Sequence, residues 1–312
     1  MGFARTRRSQ FPWLNLVQYP FPTREFDSGD GWMSYLDEGR GRPVVLVHGS
    51  PSWSYLWRHV VRGMAAHHRC IAPDHLGFGL SQKPKGADYR PQAHANRFER
   101  LMEKLDVREA TLVMHDSGVA IGMNWALKHP ERVRDMVVIN GPCWDLRENR
   151  SAMRLSHLVD NPFNRFYYRA LNAGPGFILP ALFADRHRMS KPTQMQYLEP
   201  FRRFDERAAL YAMIAGMRKS APWHDVLWSQ RERLASKRML LMWGLKDPMW
   251  TVDDLRRWEQ AFPHAETAVY PTVGRFLPEE AGRLVLDEIR WFMMSQPTMA
   301  ASIVESPFPE LA

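Results

Sequence analysis

The chain reads as an α/β protein, a mostly parallel, doubly wound sheet interrupted by an inserted helical cap. Three observations predict this. Short apolar runs, each bounded by turn residues, alternate with longer helix-patterned stretches. One block, residues 144–237, breaks the alternation and reads as helix throughout. A strand-like run, Ala110 to Met114, leads into His115-Asp116-Ser117-Gly118, the makings of a sharp strand-to-helix turn.

Taken in chain order, Pro43 to His48 is a continuous apolar run ending at Gly49, as expected of a strand buried on both faces. Tyr55 to Ala66 follows as a helix, and Arg69 to Asp74 as a second strand with a Gly-rich loop after it. His94 to Leu105 reads as helix, Thr111 to Met114 as strand, Ile121 to Lys128 as helix and Met136 to Ile139 as strand. Strands alternating with helices argue for parallel pairing with both sheet faces covered. The helical block comes next, punctuated by Asn161-Pro162, Gly174-Pro175-Gly176 and Ala221-Pro222. The sheet then resumes at Met239 to Trp243 and Glu266 to Tyr270, and Glu279 to Met294 closes the fold as a helix. The division expected is a core of residues 1–143 and 238–295, a cap of residues 144–237, and a flexible C-terminal tail of residues 296–312 that carries Pro297, Pro307 and Pro309.

Composition narrows the class. At 312 residues and 45% hydrophobic content, the chain can bury one large core. Cys70 and Cys143 are its only cysteines, too few for a disulfide framework, which suits a cytoplasmic protein. No stretch is apolar for long enough to span a bilayer, so no membrane insertion is expected. The net charge is +8, and most of it falls in residues 144–237, where sixteen Lys/Arg face nine Asp/Glu. A solvated helical face accounts for this, and no nucleic-acid reader pattern accompanies it. No Cys/His cluster has metal-ligand spacing, and no Gly-rich phosphate fingerprint follows the first strand, so neither metal nor cofactor is expected. Oligomeric state is not encoded in any motif.

Candidate chemistry gathers in loops at the carboxyl ends of strands, where open α/β sheets bind ligands. The first is His48-Gly49-Ser50-Pro51-Ser52-Trp53, whose glycine permits close backbone approach and whose Ser50 amide is a donor for developing negative charge. The second is the elbow, with Asp116 as nucleophile; a carboxylate there attacks carbon and becomes an ester. Ser117 is the competing nucleophile, but His115 and Val119, two residues to either side of it, are bulky where a serine elbow needs glycine. The third is Trp243-Gly244-Leu245-Lys246-Asp247-Pro248, with Asp247 just past a strand end; the fourth is Val273-Gly274-Arg275-Phe276-Leu277.

Together these segments resemble the α/β-hydrolase superfamily, and more narrowly its haloalkane dehalogenase, epoxide hydrolase and β-lactone decarboxylase branch. Ser54-Tyr55-Leu56-Trp57-Arg58, Arg69 to Asp74, Gly77-Phe78-Gly79-Leu80-Ser81 and Arg257-Trp258 add to the likeness, which runs from about Phe21 to Met294. The resemblance implies that Asp116 is alkylated or acylated, that Asp247 orients a histidine base, and that water releases the product without metal or cofactor. The substrate implied is small and mostly apolar. Three positions depart from the pattern. The halide-binding Asn and Trp are replaced by Ser50 and Ser117, which retain hydrogen-bonding hydroxyls. The base position holds Arg275. Arginine stays protonated at neutral pH and cannot accept a proton from water. The expectation is therefore an impaired haloalkane dehalogenase-like hydrolase that forms its ester and stalls. The alternatives are epoxide hydrolase or β-lactone decarboxylase activity, or a non-catalytic protein whose Arg275 holds an anion.

Trp53 and the cap residues Phe166, Tyr167, Phe183 and Trp223 are expected to line the substrate pocket, along with Phe163, Tyr168 and Phe177 as candidate lid residues. Tyr167, Tyr168, Tyr197 and Tyr211 are candidate proton donors by the epoxide hydrolase likeness. His224 is a candidate substitute base, whereas His48 and His115 read as structural.

Overall fold

Residues 10–295 are described by the structure, a computed structural model; the expectation of a flexible tail over 296–312 lies outside the described residues. Apolar runs become strands wherever they are bounded by turns. The strands are β1 (Thr23–Asp27), β2 (Trp32–Glu38), β3 (Pro43–Val47), β4 (Arg69–Pro73), β5 (Ala110–His115), β6 (Val133–Ile139), β7 (Arg238–Gly244) and β8 (Glu266–Tyr270). They form one eight-stranded sheet in the order β1-β2-β4-β3-β5-β6-β7-β8. β1 and β2, and β2 and β4, pair antiparallel; all other pairs are parallel. In the central β5 all six residues are buried, as a strand covered on both faces requires.

Two strands escape the sequence reading. β1 and β2 form a hairpin around Gly29 and Gly31, both at positive φ (77° and 151°), where a side chain would be strained. Their sequences, TREFD and WMSYLDE, carry charges because β1 lies at the sheet edge. The helices also shift from expectation. α1 is only Arg58–Met64 because Ser54–Trp57 forms a tighter 3₁₀ turn before it. α2 (Pro91–Lys104) starts at a proline, and α3 (Gly118–Lys128) starts at the elbow itself.

Between β6 and β7 run α4 (Arg150–Val159), α5 (Pro162–Ala170), the short α6 (Leu179–Ala181), α7 (Lys191–Leu198), α8 (Ala208–Lys219) and α9 (Ala221–Ser229). After β7 comes α10 (Val252–Ala261), not foreseen, opened by a capping box between Thr251 and Asp254. The last helical stretch splits at Ala281 into α11 (Leu277–Glu280) and α12 (Gly282–Met294).

The core lies in two layers. Phe98, Leu101, Ile121, Trp125, Leu255 and Trp258 pack α2, α3 and α10 on one sheet face. Trp57, Val60, Val285, Ile289 and Phe292 pack α1 and α12 on the other. The helical insert is fastened to this core by a buried triad. Arg58 donates to both Glu279 oxygens, at 2.6 and 2.5 Å, and the Tyr197 hydroxyl from α7 donates to Glu279 Oε2 at 2.6 Å.

Candidate active site

The turn after β5 places Asp116 at φ 52°, a left-handed conformation that L-residues seldom hold without surrounding constraint. Neighbouring backbone supplies that constraint. A Cβ on Gly118 would come within 2.6 Å of the Val47 and His48 carbonyl oxygens, and one on Gly49 within 2.5 Å of Asp116 Oδ2. The bend is therefore packed between the ends of β3 and β5, and it sends the Asp116 carboxylate into a cavity of about 50 Å³ beneath the insert. Ser50, Ser117, Leu155, Tyr168, Ile178, Met213, His224, Trp250 and Arg275 are among its walls, drawn from both the sheet loops and helices α4, α5, α8 and α9.

The four groups that matter most touch one another. Trp250 Nε1 donates to Asp116 Oδ1 at 3.0 Å. Arg275 Nε donates to Asp247 Oδ1 and Oδ2 at 3.2 and 3.0 Å, and its Nη2 donates to Oδ1 at 2.8 Å. Its Nη1 lies 3.6 Å from Asp116 Oδ1, so one guanidinium bridges both carboxylates. Arg275 is 3% exposed and stacks above the Trp250 ring, 5.1 Å from its centroid. Burial alone would lower its pKa, but the charge and hydrogen bonds of Asp247, then Asp116, raise it above the ordinary arginine value. The group in the base position is thus more firmly protonated than a free arginine.

Asp247 is held from its other side by Asn140 Nδ2 (3.2 Å) and by the backbone amides of Met249 (2.8 Å) and Trp250 (3.1 Å). Asp116 Oδ2, in contrast, has no hydrogen-bond partner among the described residues. Its Oδ1 is anchored and its Oδ2 is the available lone-pair bearer. His115 fixes the loop behind Arg275, with Nε2 paired to the Arg275 carbonyl at 2.9 Å. His48 is likewise built into the frame, with Nδ1 on the Gly49 carbonyl and Nε2 accepting from the His75 amide.

Several expectations need correction. The Ser50 amide does not point free into the cavity but donates to Ser117 Oγ at 3.1 Å. Trp53 is fully buried and sends its indole N–H to the Gln196 carbonyl, away from the cavity. Phe166 and Tyr167 lie on the outer side of α5, 56% and 46% exposed. Phe183 stacks on Phe276, and Trp223 packs against His224 and the core; neither is among the cavity walls. Composition picks out the aromatic residues, whereas helix phase decides which of them faces inward. Phe163 and Phe177 are also exposed.

Of the four candidate tyrosines, Tyr168 alone lines the cavity, and its buried hydroxyl has no partner among the described residues. Tyr197 is committed to Glu279, and Tyr211 reaches Asp160 at 3.4 Å. His224 does line the cavity. Its Nδ1 pairs with the Ser220 carbonyl, and burial pulls its pKa down to about 4.

Sequence reasoning misses Trp250 and Asn140. The signal for Trp250 is its place three residues after Asp247, in a loop already singled out. Asn140 follows β6 directly, at φ 35°, another non-glycine in a strained turn beside the site.

A sheet of this order with an acidic elbow after β5 defines an α/β hydrolase. The chain belongs to the α/β hydrolase fold family, whose profile matches residues 42–281. Within it the chain falls in the haloalkane dehalogenase-like branch. It is 31% identical over 294 residues to a cis-3-alkyl-4-alkyloxetan-2-one decarboxylase of Shewanella oneidensis, covering 91% of this chain and 92% of that protein. It is 31% identical over 270 residues to haloalkane dehalogenase 2 of Mycobacterium bovis, covering 84% and 92%. A haloalkane dehalogenase structure from Paraglaciecola agarilytica superposes with a TM-score of 0.78 at 20% identity, over 95% of this chain and all of that one. The relatives support a hydrolase-type function. No helix among the described residues is long and apolar enough to cross a membrane.

Proposed function

We propose that Asp116 is a carbon-directed nucleophile acting on small, mostly apolar electrophiles, and that Arg275 restricts turnover to reactions that need no activated water. The observation that carries this reading is the clasp of Arg275 on Asp247 beside an Asp116 whose Oδ2 is unengaged. A haloalkane would lose halide to Oδ2 attack and leave an alkyl ester on Asp116. Releasing that ester requires a base to deprotonate water, and a buried, doubly paired guanidinium cannot serve.

A disubstituted oxetan-2-one, the substrate class in the name of the Shewanella relative, has no such need. Oδ2 attacks ring carbon C4 and the C4–O1 bond breaks, leaving a carboxylate attached to C3. The C2–C3 electron pair then forms the C3–C4 double bond. Carbon dioxide departs, and the C4–O bond returns its electrons to Asp116. Atoms and charge balance without water or proton transfer.

His224 supports a second reading, in which it accepts the proton of an attacking water. Its ring lines the cavity and, with a pKa near 4, stays neutral above that pH. The anion-binding alternative loses support, since the guanidinium already faces two carboxylates and an anionic ligand would compete with both.

The test combines intact-protein mass with product analysis. With a short 1-bromoalkane, the expected result is a stable alkyl adduct, absent in Asp116→Asn and released in Arg275→His. With a short cis-dialkyl oxetan-2-one, alkene and carbon dioxide should form over many turnovers without ¹⁸O uptake from labelled water. Water-derived oxygen in the product, lost in His224→Phe, would establish the second reading. No adduct and no turnover in either the wild-type protein or the Arg275→His variant would refute Asp116 as nucleophile.

A further inference from the structure

The outer face of the insert carries a feature that the cavity chemistry leaves unused. On α5, Phe163, Phe166 and Tyr167 are 68%, 56% and 46% exposed, and Leu158 at the end of α4 is 62% exposed. They form one patch rather than scattered residues. The Phe163 and Tyr167 rings are 4.6 Å apart, Tyr167 and Phe166 5.6 Å, and Phe166 and the exposed Phe204 5.7 Å. Helical phase explains the arrangement, because positions 163, 166 and 167 share one face of α5 while Tyr168 turns inward to the cavity. A contiguous aromatic surface of this kind marks an interaction site.

Charge identifies the partner. Immediately beside Leu158, an open groove along α4 is bordered by Arg147, Arg150, Arg154 and His157. Arg147 is paired with Asp145, but Arg150 and Arg154 have no carboxylate partner among the described residues. Arg165 rises from the same α5 and lies over the Tyr211 ring, at 4.7 Å, without an acidic partner among the described residues. The patch is therefore aromatic and aliphatic at its centre and cationic at its margin.

We infer that this face docks peripherally on an anionic lipid bilayer surface, with its rings at headgroup depth and its arginines on lipid phosphates. Amphipathic helices with aromatic residues on one side and arginine at the flank seat in this way, and anionic headgroups add attraction for each cation. A second copy of this chain would bring unpaired arginines against arginines. A single-stranded nucleic acid would use the rings and the charge but leave Leu158 without a role. Docking here puts the bilayer on one side of α5 and the cavity on the other, a short path for an apolar substrate. Docking on the outer face holds whichever reaction the cavity performs.

The experiment is co-sedimentation of the full chain with vesicles of phosphatidylcholine alone or with about 30% phosphatidylglycerol, at about 0.1 M and 0.5 M salt. Binding to anionic vesicles should exceed binding to neutral ones by about fivefold or more, and high salt should remove most of the difference. Phe163→Ser/Phe166→Ser should lose binding about tenfold, and Arg150→Gln/Arg154→Gln about threefold on anionic vesicles only, with unchanged circular dichroism and melting temperature. The single Phe163→Ser variant serves if the double variant fails to fold. Equal pelleting of wild type and variants, or none, would overturn the assignment. So would self-association or oligonucleotide binding that the same substitutions abolish while vesicle binding is absent.

Discussion

Replacing Arg275 by methionine tests whether the guanidinium is what makes two buried carboxylates tolerable side by side. Methionine fills most of the volume, so the cavity term is small and the electrostatic term dominates. The substitution removes three hydrogen bonds to Asp247, which is 4% exposed, and the only cation within 4 Å of Asp116 among the described residues. Leaving one member of a buried pair uncompensated costs about 3–5 kcal/mol. The lower end applies here, because Asn140 and two backbone amides still donate to Asp247. The expected loss is about 3 kcal/mol. Asp247→Asn in the same background neutralises the orphan while keeping an acceptor for those amides, so the double variant should recover about 2 kcal/mol relative to additivity. Urea unfolding at neutral pH, read as the midpoint at constant m, measures each corner of the cycle. A loss below about 1 kcal/mol for Arg275→Met, or a coupling near zero, would show that the bridge contributes no stability and that Arg275 is not firmly held between the two carboxylates.

Two further predictions concern pH and have opposite signs. His224 has a folded pKa of about 4, below the ordinary histidine value, so the unfolded chain binds the extra proton first and stability falls as pH drops from about 6.5 to 4; His224→Phe should flatten that slope by up to one proton in urea titrations at stepped pH. Glu280 is pushed up to about 7 by burial, although the Ala184 and Gly274 amides both donate to it at 3.0 Å; the folded state binds its proton more tightly, so its contribution is present below the ordinary glutamate pKa and is lost as pH rises through 7. Glu280→Gln should therefore gain stability over wild type at pH 8 more than at pH 5, and a constant difference between the two would refute the assignment.

How far the sequence can be read depends on whether an element's role is local. Strands β3 to β7 announce themselves because burial on both faces demands consecutive apolar residues, as in the PVVLV of β3, while β8, at the far edge and only partly buried, shows itself by the short β-branched run of ETAVY. β1 and β2 do not, because an edge hairpin can carry charge. The Asp116 turn is legible from Gly118 alone, but its tightness is set by Gly49 from another loop, a contact no spacing reveals. Trp250 shows the same gap. Its sequence neighbourhood is recognisable, yet its indole reaches a carboxylate 134 positions earlier in the chain. On α5 the aromatic run is visible in the sequence and its direction is not. Period 3.6 groups Phe163, Phe166 and Tyr167 on one face without saying whether that face turns to the core or to the surroundings.

The arginine itself carries the deepest consequence. A histidine at position 275 would hold Asp247 through a single ring N–H and leave its other nitrogen free to take a proton from water. Arginine makes three bonds to Asp247 and extends a fourth contact to Asp116, so the site becomes more tightly bound as it loses its base. Stability and hydrolytic competence are set against each other at one position, the trade-off expected where an active site depends on an unsatisfied group. Arg275→His should therefore weaken the fold in the same step that lets the ester turn over. Water-free release escapes the conflict, because it asks of the site only that Asp116 attack and depart.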